Sequence, residues 1–132
     1  MTSTVFRAPI AIVSLVLALA ASGAAFAADG GDPAEGKKVF NKCKACHSLE
    51  EGKNKVGPSL HGIFGREAGS VEGFSRYSDA NKDSHIVWTE EVMFEYLENP
   101  REYLPGTTMG FIGLKKEEDR RNVIAYLKEN TQ

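Results

Sequence analysis

Helical periodicity rises in three stretches of the chain, and long irregular segments separate them. Gly36, Val39, Phe40 and Cys43 recur at i, i+3, i+4 and i+7 and share one face, while Lys37, Lys38, Asn41, Lys42 and Lys44 fall on the others. Asp32 as N-cap, Pro33 as first helical residue and Glu35 three positions after the cap predict where this helix starts, in the pattern of a capping box with Asp for Ser or Thr. Gly36 weakens such a helix by about 1 kcal/mol relative to Ala, so close packing against another element is expected there. A second helix is predicted from the Thr89 cap, with Glu90 and Glu91 in its first turn and Met93, Tyr96 and Leu97 inward, until Asn99-Pro100 stops it. The last runs from about Lys116 to Glu129, acidic at its start through Glu117, Glu118 and Asp119, with Val123, Ile124 and Leu127 as its apolar stripe and Tyr126 on the border. Three or more helices and no hairpin signal give an all-α class.

Between them, Ser48 to Ser75 is rich in glycine and charge and holds neither period, which predicts loops and turns. A loop of that length is uncommon in a small domain unless it wraps around something. Pro105 to Phe111 reads as a turn followed by an extended strap.

The first residues have a different character. Arg7, an apolar run from Ile10 to Ala21 and the small-residue ending Ala25-Phe26-Ala27 match a secretory signal peptide with an A-x-A cleavage site. Its apolar part falls short of the ~20 residues of a spanning helix. Cleavage is expected near Ala27, which leaves residues 28–132 as one domain with a marginal core, exported to the periplasm and without stable membrane insertion. The formal charge of −2 becomes more negative once Arg7 is lost, and nothing suggests nucleic-acid binding.

Both cysteines and one of three histidines lie together in Cys43-Lys44-Ala45-Cys46-His47. This C-x-x-C-H spacing is that of covalent c-type haem attachment: two thiols one helical turn apart meet two vinyl groups, and the adjacent imidazole reaches the iron. Zinc would want further Cys or His at metal spacing, and only His61 and His85 remain. A thioredoxin-like dithiol would need a βαβ setting, and a purely structural disulfide would close too short a loop to remove much chain entropy. With His47 on one side of an iron, the other side is open to a ligand, a gas or peroxide, or is closed by a second residue. Met93 falls on a helix face, where methionine usually fills core, whereas Met109 sits in the strap with no periodicity to require it. Met109 is therefore the candidate second axial ligand, which would raise the reduction potential and suit electron transfer rather than catalysis.

Taken together these segments resemble class I cytochrome c, of the mitochondrial and bacterial periplasmic type, over nearly the whole chain after the leader. The likeness rests on the C-x-x-C-H run, Gly57-Pro58-Ser59-Leu60-His61-Gly62, Tyr77-Ser78-Asp79-Ala80-Asn81, Trp88, Tyr96-Leu97-Glu98-Asn99-Pro100, Pro105-Gly106-Thr107-Thr108-Met109 and Ile124-Ala125-Tyr126-Leu127. It implies one haem c linked to Cys43 and Cys46, with iron ligation by His47 and Met109. It further implies that the Pro58 carbonyl receives the His47 N–H, and that Tyr77 and Trp88 bond a propionate with Arg66 nearby. Asn81, Tyr96 and Thr107 would form a polar network beside Met109, and Gly36 and Phe40 would pack against Val123 and Tyr126. The function implied is one-electron transfer by a non-enzymatic, monomeric carrier, from a cytochrome bc complex to a terminal oxidase, a photosynthetic reaction centre or another reductase. Lys42, Lys44, Lys55, Arg101, Lys115 and Lys116 would surround the exposed haem edge and steer toward acidic partners. Thr108 and Glu102 stand where mitochondrial relatives usually carry lysine, which weakens that basic ring.

Overall fold

The computed structural model describes residues 1, 2 and 30–132, so the signal peptide expected over residues 1–27 lies, except for its first two residues, outside the described residues. Helix α1, Pro33–Phe40, begins where the sequence places it, because the Asp32 carboxylate accepts from the Ala34 and Glu35 amides at 2.8 and 3.3 Å. The reciprocal half of the expected capping box is not made. Glu35 turns outward to Lys38 at 2.6 Å, and the Asp32 N–H donates instead to Asn122 Oδ1 at 2.7 Å, on the last helix. A long-range bond thus replaces a local one and fixes where α1 begins against its neighbour. Asp32→Ala is expected to cost about 1 kcal/mol, the usual value of an N-cap. Urea unfolding should show it as a lower midpoint at unchanged slope, and an unchanged midpoint would remove the cap from the stability argument.

The crossing of α1 with the last helix, α5 (Glu117–Asn130), is the main helix contact of the fold. Val123, Ile124 and Leu127 are all buried, as their spacing predicts, and the Phe40 and Tyr126 rings meet at 5.5 Å. Gly36 is the point of closest approach, although its neighbours are the Asn122 backbone and Tyr126 Cβ rather than the Val123 side chain.

Between these two helices lie three more. Helix α2, Asp79–Asp83, is absent from the sequence reading; five residues with no buried position give no amphipathic signal, and the Ser78 hydroxyl caps it by accepting from the Asn81 amide. Helix α3, Glu90–Glu98, starts on the Thr89 cap and buries Met93, Tyr96 and Leu97. Asn99-Pro100 ends α3, but the chain turns at Asn99 and resumes as α4, Pro100–Tyr103, since proline is well suited to the first position of a new helix. From Ser48 to Ser75 no helix or strand forms, and one isolated bridge, Glu67 to Val87, ties this loop to the segment before α3. The structure is all-α, as expected, and among the described residues no helix is long and apolar enough to cross a membrane.

Candidate functional site

Past α1 the chain makes a tight helical turn. Amide bonds from Cys43 to Phe40 O, Cys46 to Cys43 O and His47 to Cys43 O, at 2.8, 3.0 and 2.9 Å, carry both thiols and the imidazole on one coil. Cys43 is half-buried against the core, and that burial pushes its thiol up to about 11, whereas Cys46 is exposed. Neither forms a disulfide.

His47 Nδ1 lies 2.7 Å from the Pro58 carbonyl oxygen. A carbonyl only accepts, so Nδ1 carries the proton and the lone pair of Nε2 is left available. Burial lowers the imidazole pKa, against the smaller raising effect of the Pro58 bond, so the ring is held neutral as a metal ligand must be. The loop that presents Pro58 presses onto the ring itself: a Cβ on Gly57 would stand 2.4 Å from His47 Cε1. Glycine at 57 is a steric requirement of the imidazole's position, and the Gly57 amide bonds back to Cys46 O at 2.7 Å.

On the strap, the Tyr96 hydroxyl donates to Met109 Sδ at 3.1 Å, and the Met109 amide donates to Thr107 Oγ1 at 3.3 Å. Thr107 Oγ1 in turn reaches Asn81 Oδ1 at 3.4 Å, and Ser78 Oγ donates to the same oxygen at 3.0 Å. The expected network of Asn81, Tyr96 and Thr107 is therefore assembled around Met109. Burial raises the Tyr96 phenol pKa, so it remains a donor. Met93, by contrast, is buried as core filler.

A third group consists of Arg66, Tyr77 and Trp88. The Arg66 guanidinium is half-buried and donates to the His61 and Ser59 carbonyls at 2.7 and 3.0 Å, organising the loop rather than lying in solvent. Tyr77 accepts from the Val71 amide at 3.2 Å, which leaves its own O–H proton to give. Trp88 is 7% exposed, and its ring meets the Tyr96 ring edge-on at 4.8 Å. His61 is half-buried in the glycine-rich loop, and exposed His85 pairs with Glu67 at 2.9 Å; neither joins the site. Among the described residues no group of three or more His, Cys, Asp or Glu side chains converges as a metal site.

Paired thiols on one coil, an oriented neutral imidazole and a thioether held by a phenol fit a covalently attached haem. The cytochrome c family model matches residues 33–131. The chain belongs to the cytochrome c family. It is 54% identical over 105 residues to cytochrome c of Gibberella zeae, covering 78% of this chain and 98% of that one. Cytochrome c of Arabidopsis thaliana is 52% identical over 104 residues, 77% of this chain and 92% of its own. Cytochrome c2 of Blastochloris viridis is 54% identical over 112 residues, 84% and 86% of the two chains. As a cytochrome c, the protein is an electron carrier that binds haem c, and Cys43 and Cys46 are the pair consistent with its covalent attachment.

Two cytochrome features escaped the sequence reading. Gly57 appeared there only as part of a loop motif, because a steric demand from a residue ten positions away leaves no periodic trace. Arg120 looks like one more charge on α5, yet it is 5% exposed, donates to the Leu114 carbonyl at 2.7 Å and lies over the Phe94 ring at 4.4 Å. It anchors the end of the strap that carries Met109, and only its place on the inner side of α5 could have signalled this.

Proposed function

We propose that residues 28–132 act as a monohaem carrier with His47 and Met109 as axial ligands, exported to the periplasm after cleavage near Ala27. In this reading it takes single electrons from a quinol-oxidising cytochrome bc complex and delivers them to a terminal oxidase, a photosynthetic reaction centre or another reductase. The observation that supports it most is the Met109 thioether, held by the Tyr96 hydroxyl on a strap outside any helix.

The haem, when bound, supplies a one-electron ferric/ferrous couple. The chain sets the terms on which that couple works. His47, oriented through Pro58, offers a basic imidazole nitrogen; Met109 offers a soft neutral sulfur that favours the ferrous state. Two protein ligands exclude oxygen and peroxide, which separates a carrier from an enzyme. Tyr77 and Trp88 would hold a haem propionate, and Arg66 would offset its charge. The exposed cations Lys42, Lys44, Lys55, Arg101, Lys115 and Lys116 attract acidic partner surfaces, and the carrier works as a monomer with no nucleic-acid partner.

An optical spectrum of the purified protein tests the core of this reading. The expected result is a c-type pigment that survives acid-acetone, with a weak far-red sulfur-to-iron band in the oxidised form only. Extraction of the pigment, or a ferric spectrum without that band, overturns the ligation.

A further inference from the structure

Thr131 follows the last turn of α5 and is only 2% exposed, although its side chain is polar. Its hydroxyl donates to the Leu127 carbonyl at 2.7 Å, one turn back, which fixes the side chain and with it the direction of the residue's own carbonyl. That carbonyl oxygen accepts from the Gly62 amide. Gly62 is exposed and sits at φ 63°, in the left-handed region where glycine turns without strain. An amide in such a turn ordinarily bonds water; here the end of α5 reaches across to take it.

The peptide unit that donates to Thr131 also accepts from Arg66. Its N–H belongs to Gly62 and its C=O to His61, and the Arg66 guanidinium donates to that C=O at 2.7 Å and to the Ser59 carbonyl at 3.0 Å. A trans peptide is planar, with N–H and C=O opposed, so fixing one end aims the other. A bond to the N–H also polarises the unit and strengthens its carbonyl as an acceptor. The second carbonyl is braced separately, because Ser59 is 2% exposed and its hydroxyl donates to Glu50 O at 2.6 Å. At the root of the Arg66 side chain, the backbone carbonyl accepts from the Trp88 amide at 2.9 Å. The guanidinium is thus held by two carbonyls, one of which depends on α5.

We propose that Thr131 is a positioning residue for the electron couple: its carbonyl sets the peptide between His61 and Gly62, and that peptide sets the Arg66 guanidinium beside the haem propionate. The proposal rests on the propionate role proposed for Arg66 and adds the distant residue that keeps this cation in place. A cation near the haem disfavours the extra positive charge of ferric iron, so a guanidinium that drifts outward shifts the couple toward ferric. The competing explanation is that Thr131 only finishes α5, as its hydroxyl bond to Leu127 would do alone. In that case stability changes with Thr131 and the couple does not.

Amide exchange at Gly62 and a potentiometric titration are measured on the same holoprotein. Thr131→Gly, which frees the carbonyl from its side-chain anchor, is expected to speed Gly62 exchange at least about tenfold. The ferrous-to-ferric ratio at a fixed ambient potential should fall about two- to threefold, the effect of moving one charge outward by a few ångström at an effective dielectric of about 20. Thr131→Ser keeps the hydroxyl bond and should match the parent in both. Thr131→Val keeps the volume and loses the hydroxyl; it should show the same changes at smaller size, and it decides the matter if the glycine variant does not retain haem. Asp32→Ala, which weakens α1 instead, should leave the ratio unchanged. In an Arg66→Gln background, itself expected to lower the ratio about tenfold, Thr131→Gly should lower it no further. Faster Gly62 exchange with the parent's ratio, or a fall that persists without Arg66, overturns the positioning role and leaves Thr131 as a helix end. An Arg66→Gln protein with the parent's ratio overturns the propionate role of Arg66 and the positioning role with it.

Discussion

Replacing Met109 by histidine is expected to lower the reduction potential by on the order of 0.1 to 0.3 V, a part of the ~0.8 V that axial ligands span. The neutral thioether is a weak donor that favours ferrous iron, and burial adds to this by penalising the extra charge of the oxidised state. Imidazole is the stronger donor and stabilises ferric iron. The substitution also removes the sulfur to which Tyr96 donates at 3.1 Å, so that hydroxyl must turn to Thr107 or to the new ring. Potentiometric titration of the holoprotein gives the shift, and loss of the far-red band in the oxidised variant reports the change of ligand independently. A potential equal to the parent's, with the band retained, would place Met109 off the iron and return the second ligand to the other donors.

The site was legible to different depths along the chain, and the reason is physical in each case. The C-x-x-C-H run declares itself because its chemistry acts across five consecutive residues. Met109 could be singled out only by contrast with Met93: one methionine satisfies a helical stripe and is buried, while the other stands on a strap that no period explains. Pro58, Tyr77, Asn81, Trp88, Tyr96 and Thr107 have no local signature, and their grouping came from resemblance. The structure places Pro58 on His47 and links Asn81, Thr107, Met109 and Tyr96 through side-chain contacts separated by up to 26 positions in sequence.

For the fold, the amphipathic helices α1, α3 and α5 were predictable from their period and the residues at their starts, and the connecting elements were not. Helix α2 buries nothing, so its existence depends on the Ser78 cap and on the surrounding loop rather than on a hydrophobic face. Glu35 illustrates the limit of local pattern most directly. Its spacing from Asp32 satisfies the capping box, but Asn122 reaches the Asp32 amide from α5, and a tertiary partner takes the bond that the local motif assigns to Glu35.

The α1–α5 crossing carries the other large effect. Gly36→Ala should destabilise the holoprotein by about 2 to 4 kcal/mol, although helix propensity alone would favour alanine by about 1 kcal/mol. The added Cβ would fall 1.9 Å from the Asn122 carbonyl oxygen and 2.8 Å from Tyr126 Cβ. Both overlaps exceed what a rotamer change can relieve, because the obstacles are the backbone of α5 and the first side-chain atom of Tyr126. Helix α1 must therefore lift away, and in doing so it loosens the Phe40–Tyr126 ring contact and the Asp32–Asn122 bond together. Gly31 lies against the same helix, its absent Cβ 2.2 Å from the Arg121 carbonyl carbon, so the start of α1 has no slack to absorb the shift. Since each kcal/mol moves the melting temperature of a domain this size by about 4 to 8 °C, a drop of at least about 10 °C is expected in a thermal melt followed by circular dichroism. An unchanged or higher melting temperature would mean that the two helices sit further apart in solution and that propensity decides the outcome. The optical far-red band provides the second readout. Because the strap is anchored separately, through Leu114 on Leu97 and Arg120 on Leu114, the band should persist in Gly36→Ala below its melting point.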